Sequence, residues 1–310
     1  MSKTSEIKKY KSPCGLEICF PVTKIKGAND GPKVLILAGI HGCEYPSIVA
    51  AIRISQELKP EDVSGEVTII PICNVQSFEK RTPFLCPVDG KNLNRVFPGN
   101  LTGTYSDAMA YYLYQDFITK ADYLIDLHGG DMVEKLEPFI IYHEGENQET
   151  TKGAREIVDY FGIPRAVCTR HGTPRDGAGS TQGSAARAGI PGVVTEIGGI
   201  GQLDQQSVDG HLEGIRNVLR HFKVLKGEAV KHDVKYYSEL VLLYTPVAGI
   251  FYRAVEVSDT VKKDQKVGHI EDYFGNILAE IKAPKDGRIF YLTSSPSMQK
   301  DGLLGGLGVE

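Results

Sequence analysis

From residue 33 to about residue 225, short β-branched runs alternate with amphipathic segments, the texture of an α/β domain. KVLILAG (33–39) is a continuous apolar run and predicts a central, buried strand. Pro46 then suits the first turn of a helix whose core face is Ile48, Ala51, Ile52, Ser55 and Leu58. EVTIIPICN (66–74) reads as the next strand, and residues 106–119 as a helix capped by Thr104 or Ser106. ADYLIDLHGG (121–130) is a strand ending in paired glycines, PFIIYH (138–143) is a further candidate strand, and residues 148–161 read as helix. GVVTEIGG (192–199) repeats the pattern of an apolar strand with a polar last residue followed by glycines. A helix over 204–224, with Val208, Leu212, Ile215, Leu219 and Phe222 at core spacing, closes the domain. After KGEAVKHD (226–233) helical periodicity vanishes, and short strands alternate with Gly, Pro and Asp turns to the end. The pattern therefore predicts an α/β domain over 1–228 and an all-β domain over 229–310.

Composition narrows the function class. With 41% hydrophobic and 24% charged residues in 310, the chain has room for a sizeable core and no compositional case for disorder. A formal net charge of −4 gives it no electrostatic reason to seek nucleic acid or an anionic membrane. The N-terminal stretch MSKTSEIKKYKSPCG is charged, and no segment reaches the ~20 apolar residues of a span, so a cytoplasmic location is expected. The six cysteines are scattered without a C-x-x-C pair and are expected to be reduced structural thiols, Cys43 in a tight turn included.

Three predicted strands end in residues that bind metals or move protons: His41 and Glu44 after the first, His128 after the second, and Glu196 after the third. In open α/β sheets ligands gather at the carboxyl ends of strands, so these ends are where a site is expected. His41 and Glu44, three apart on a strand-to-helix turn, can aim an imidazole and a carboxylate at one point. With His128 they make a His2Glu set, the three protein ligands of catalytic zinc sites, which keep a fourth position for water and lower its pKa to about 7. A lone histidine at a strand end is more often structural; the ordered combination is what predicts one Zn2+ per chain. Asp126 is placed either to orient a ligand imidazole from outside or to make a plain buried hydrogen bond.

The stretch KRTPFLCPVDGKNLNRVFPG (80–99) supplies Asn94 and Arg95, an amide and a guanidinium suited to gripping a carboxylate. Arg81 offers a cation for charge developing on a scissile carbonyl oxygen. Together with Lys80, Lys91, Arg165, Arg170, Arg175 and Arg187 they make the expected site region basic within an acidic protein, which points to a small anionic substrate.

The set His41-x-x-Glu44, Asn92-Leu-Asn94-Arg95, Asp126-Leu-His128-Gly-Gly and Thr195-Glu196-Ile-Gly-Gly resembles the succinylglutamate desuccinylase/aspartoacylase family, relatives of the zinc carboxypeptidases, over nearly the whole chain. The resemblance implies a carboxypeptidase-like mixed sheet flanked by helices, followed by a small all-β, barrel-sandwich-like domain that covers the active site. It also implies hydrolysis of an N-acyl amino acid. In that reading His41, Glu44 and His128 bind zinc, and Glu196 is the general base that activates the water and hands its proton to the leaving amine. Asn94 and Arg95 hold the substrate carboxylate, and Arg81 stabilises the oxyanion. For this work Glu196 needs a pKa above that of an ordinary glutamate. The chain departs from aspartoacylase in carrying Asn92 where that enzyme has Asp, and in a wider gap between Arg81 and Arg95. Six tyrosines, Tyr236, Tyr237, Tyr244, Tyr252, Tyr273 and Tyr291, are candidates for the one the family places against substrate.

Residues 249–292 also resemble the hammerhead of biotinyl and lipoyl carrier domains, but Asn276 stands where the carrier lysine belongs. A rigid β module that restricts substrate size, and a candidate surface for homo-oligomer assembly, is the expected role. The leading reading is thus a zinc amidohydrolase removing an acyl group from a small N-acyl amino acid or related amine. The alternatives are a zinc carboxypeptidase acting on short peptides and a metal-bearing binding protein without activity, against which Glu196 counts.

Overall fold

The computed structural model describes residues 1–145, 147–170 and 177–310. The chain opens with a hairpin of β1 (Ser2–Lys11) and β2 (Glu17–Lys26) and continues through β3 (Asn29–Ala38) and β4 (Ser64–Ile70). Then come β5 (Tyr123–His128), β6 (Glu134–Leu136), β7 (Phe139–Glu144), β8 (Arg165–Arg170), β9 (Gly192–Glu196) and β10 (Lys235–Tyr237). Between these strands lie α1 (Tyr45–Glu57), α2 (Val75–Lys80), α3 (Tyr105–Asp116), α4 (Gln148–Phe161), α5 (Thr181–Arg187) and α6 (Gln205–His221). Among the described residues, nine of the strands form one mixed sheet in the order β1-β2-β4-β3-β5-β9-β7-β8-β10. The centre, β4-β3-β5-β9, is parallel; β7 runs antiparallel to β9, and β8 and β10 continue parallel to β7.

The continuous apolar run of β3 is explained by burial on both faces. Val34, Ile36 and Ala38 join the core under α1, α4 and α6, which contribute Ile54, Ile157, Leu212 and Ile215. Leu35 and Leu37 point the other way, into the core under α3 and α5, with Met109, Leu113 and Ala185. Thr104 caps α3 through a capping box with Asp107. Among the described residues no helix is long and apolar enough to cross a membrane.

The rest of the chain forms β11 (Glu239–Tyr244), β12 (Gly249–Arg253), β13 (Thr260–Val261), β14 (Lys266–Glu271), β15 (Ile277–Lys282), β16 (Gly287–Thr293), β17 (Ser297–Met298) and β18 (Leu303–Val309). They make two antiparallel sheets, β11-β18-β16-β13 and β15-β14-β12-β17, around a shared core of Phe251, Val267, Ile270, Ile289 and Leu307. This is the mixed, helix-flanked sheet with an all-β C-terminal part that the sequence leads one to expect. Asn276 sits in the β14–β15 turn with its side chain tied to Asp272.

Strands cross between the two parts. β10, beyond residue 228, extends the large sheet beside β8, whereas β6, before it, pairs with β16. Phe139, Ile141, Val167, Val194 and Tyr237 of the large sheet pack on Leu240, Phe290 and Tyr291. Beside this apolar contact, Glu137, 6% exposed, takes a two-pronged grip from Arg288 (Nε at 2.6 Å, a terminal nitrogen at 2.8 Å) and the hydroxyl of Ser258 at 2.7 Å. Arg165 of β8 approaches the same carboxylate at 3.3 Å. A carboxylate with this little solvent is favourable only while its cations stay in place.

Replacing Glu137 by Ala strands Arg288 and part of Arg165. The expected cost is about 3 kcal/mol, which urea unfolding of the variant measures; an unchanged midpoint would remove the clamp from the account of stability.

Candidate active site

β3 ends at Ala38, and a tight turn leads into α1, where Glu44 occupies the position just before the helix and its carbonyl accepts from the Ser47 hydroxyl at 2.7 Å. His41 lies within that turn. His128 is the last residue of β5 and Glu196 the last of β9; the parallel register pairs these two directly, so both side chains leave the same edge of the sheet. Residues remote in sequence are thereby gathered at the carboxyl ends of three adjacent strands.

The two imidazoles converge on one carboxylate. His41 Nδ1 lies 2.7 Å from Glu44 Oε1, and His128 Nδ1 lies 3.0 Å from Glu44 Oε2. Their outer nitrogens are held from behind: His41 Nε2 faces Asn92 Oδ1 at 3.1 Å, and His128 Nε2 faces Asp126 Oδ2 at 3.0 Å. Asp126, fully buried, also accepts the Thr181 hydroxyl at 2.5 Å. An N–H on each outer nitrogen satisfies Asn92 and Asp126 and leaves the inner nitrogens presenting lone pairs to the Glu44 oxygens. Oε2 of Glu44 is moreover buried without a hydrogen-bond partner. Lone pairs facing lone pairs in a dry site are a donor set for a cation, and one ligand atom from each of His41, Glu44 and His128 lies within 4.8 Å of the others.

Electrostatics separates the acids around this point. Burial alone would raise the Glu44 carboxyl, but His128 and His41 in their protonated forms more than offset it and hold it down at about 2. Glu196 moves well above the usual carboxylate range, because desolvation, helped by the charges of Glu44, Glu134 and Asp126, outweighs the pull of His128. Desolvation, with the charge of Glu44, pushes Glu134 up to about 7.

His41, Glu44 and Glu196 open onto a cavity of about 550 Å3. The catalytic side contributes Phe84, Asn92, Arg95 and Gly129, and the rest of the wall carries Glu134 of β6 beside Tyr291, Thr293, Ser295, Met298 and Leu304 of the C-terminal sheets. The described residues bring His41, Glu44, His128, Glu196 and Arg95 together as the sequence suggests. They do not bring Asn94 or Arg81 to the cavity wall. Asn94 is buried with its side-chain oxygen accepting the Thr181 N–H at 2.9 Å, at the start of α5. Arg81 is exposed in a left-handed conformation just after α2.

The broadly basic site expected from sequence is also corrected. Lys91 pairs with Asp107, Arg165 with Glu137 and Arg170 with Glu144, while Arg187 turns to Gly177 and Ser184. Lys80 ends α2 as an exposed side chain, and Arg175 lies outside the described residues. Arg95 is the one of the eight that lines the cavity among the described residues. Of the six candidate tyrosines, Tyr291 lines it. Sequence reading missed Asn92 as the partner of His41 and missed Glu134 altogether. The first is signalled by its place two residues before Asn94; the second sits on a three-residue strand with no readable periodicity.

Residues 30–222 match the succinylglutamate desuccinylase/aspartoacylase catalytic domain. A relative from Halomonas elongata, named N-alpha-acetyl-L-2,4-diaminobutyric acid deacetylase, is 30% identical over 279 residues, which cover 87% of this chain and 80% of the relative. Among solved structures, the product-bound ectoine utilization protein EutE (DoeB) from Ruegeria pomeroyi aligns with a TM-score of 0.87 at 25% identity, covering 100% of this chain and 95% of that one. A succinylglutamate desuccinylase/aspartoacylase from Rhodobacter sphaeroides aligns with a TM-score of 0.83 at 24% identity, covering 99% and 95% respectively, and speaks to the fold alone.

Thr181→Val removes a donor from an Asp126 whose other oxygen already lacks a partner. Loss of about 1–3 kcal/mol in urea unfolding is expected, and a neutral result would mean that the Thr181 hydroxyl does not support the carboxylate.

Proposed function

Because the chain belongs to the succinylglutamate desuccinylase/aspartoacylase family, we propose that it is a zinc-dependent amidohydrolase that removes the acyl group from a small N-acyl amino acid or related amine. The observation that carries the reading is the convergence of two imidazole nitrogens on a buried carboxylate beside a second, desolvated glutamate. His41, Glu44 and His128 would hold the ion, and zinc supplies Lewis acidity toward the acyl carbonyl and toward water. The name of the Halomonas relative supports an N-acyl amino acid as the substrate class.

Glu196 takes a proton from the attacking water and delivers it to the amide nitrogen as the carbon–nitrogen bond breaks, leaving a carboxylate and a free amine. Its raised pKa makes it a better proton acceptor than an ordinary glutamate and a competent donor in the second half of the reaction. Arg95, at the cavity wall, takes the substrate carboxylate, and the Tyr291 ring forms part of the wall facing it. Asn92 and Asp126 hold the His41 and His128 rings by their outer nitrogens, which would leave the inner ones to an ion. The residues up to 228 act as the catalytic domain and those beyond as its roof. A roofed cavity of about 550 Å3 suits a small acylated amino acid better than the terminus of a peptide.

Purified protein should carry about one zinc per chain by elemental analysis, and His41→Ala and His128→Ala should each lose it. Full retention in both would end the ligand assignment. Glu196→Gln should keep the ion but lose about 10²–10⁴-fold in kcat. In the parent enzyme kcat/KM should fall as pH drops through the raised pKa of Glu196, at a pH above the ordinary glutamate range. An acid limb at ordinary glutamate pH, or turnover retained in the Gln variant, would remove Glu196 as the base.

A further inference from the structure

The cavity holds one more carboxylate than hydrolysis uses. Its described acidic lining residues are Glu44, Glu134 and Glu196. With Glu44 given to the ion, Glu196 to proton transfer and Arg95 to a substrate carboxylate, Glu134 is left with no group to bind, its charge acting on the reaction only by helping to raise Glu196.

Glu134 faces the cavity by construction. In the β6–β16 pairing Glu134 stands opposite Thr293 and Leu136 opposite Tyr291. Alternation puts these four side chains on one face, and all four line the cavity. The backbone there has little freedom. The Glu134 carbonyl accepts the Ile200 N–H at 2.9 Å, and it fits so closely between the two glycine pairs that a Cβ on Gly130 or Gly199 would come within 2.5 Å of it. The carboxylate, by contrast, is poorly matched. The Asp131 N–H lies 3.4 Å from Oε2, at the limit of a hydrogen bond, and among the described residues no lysine, arginine or histidine forms an ion pair with it. A desolvated acid whose pKa has risen to about 7 gains from any cation brought to it.

We propose that Glu134 is a specificity residue that binds a cationic group on the substrate, so that the preferred substrates are N-acyl diamino acids presenting a carboxylate to Arg95 and a free ammonium to Glu134. This rests on the hydrolase reading above. It also closes the charge balance of the cavity: the dication is matched by Glu44 and Glu196, the substrate carboxylate by Arg95, and the substrate ammonium by Glu134. A neutral side chain of the same shape leaves Glu134 desolvated and unpaired, and an anionic one adds repulsion.

The test compares kcat/KM for Nα-acetyl-2,4-diaminobutyrate with that for Nα-acetylnorvaline, which replaces the ammonium by a methyl group, using the zinc-loaded full-length enzyme. The parent should prefer the cationic substrate by about 10- to 100-fold, Glu134→Gln should lose that preference chiefly through KM, and Glu134→Asp should retain it. A parent without preference overturns the proposal whatever the variants do. So does a Glu134→Gln enzyme that loses activity on both substrates in parallel, which is the mark of a structural role. If the parent hydrolyses neither these nor other N-acyl amino acids, the hydrolase reading fails. Calorimetric binding of free 2,4-diaminobutyrate against norvaline then decides Glu134 by itself, equal affinities overturning its role.

Discussion

A carboxylate withdrawn from water between two imidazole rings is tolerable only where those rings, and the charge they help to hold, remain in place. Glu44 is such a group, and its demand reaches well beyond the turn that carries it. His41 reaches it from the same turn, but His128 can do so only if β5 lies directly beside β3 in the observed register, with Ala38 opposite Leu127. Glu196 joins them only because β9 is the next strand over, in register with His128. The order β3-β5-β9 at the middle of the sheet is thus the arrangement in which the site is formed, and the helices on both faces bury the apolar strands that hold it.

Between β5 and β7 the chain leaves the sheet and returns in the opposite direction. A reversal of this kind needs no helical crossover, and the short excursion is used fully. Its glycines allow close backbone contact, its middle forms β6 against β16, and its end carries the Glu137 carboxylate to Arg288. One excursion therefore supplies part of the cavity wall and much of the polar attachment between the two parts of the molecule. The aromatic contacts of Phe139 and Tyr237 with Phe290, at 4.9 and 4.8 Å, supply the apolar part of that attachment.

Much of the fold was legible in the chain. Strands buried on both faces announce themselves as apolar runs, as β3 and β5 do, and α4 and α6 fall within a few residues of the expected spans because their core faces repeat cleanly. The N-terminal hairpin went unread because β1 is a largely exposed, lysine-rich edge strand with no face to bury. β6 and α5 went unread because three- and seven-residue elements are held by tertiary contacts, not by their own periodicity. In the site, residues at strand ends could be named from sequence because the topology rule fixes where strand ends meet. Asn94 and Arg81, which the cavity wall does not include, lie on loops, whose side chains have no such rule. Residue type showed that Asn94 can grip a carboxylate, but not that the Thr181 N–H already occupies its oxygen.

The placement of β6 has a consequence for how such proteins can be recombined. The apparent linker after residue 228 looks like a seam along which a C-terminal module could be exchanged for that of a relative. A cut at that seam separates partners, since β16 would arrive at its new host with a bare edge and Arg288 without its acid. A working graft is discontinuous: it carries the segment from Gly130 to Phe139 along with the C-terminal sheets, and it gives β10 back to the recipient.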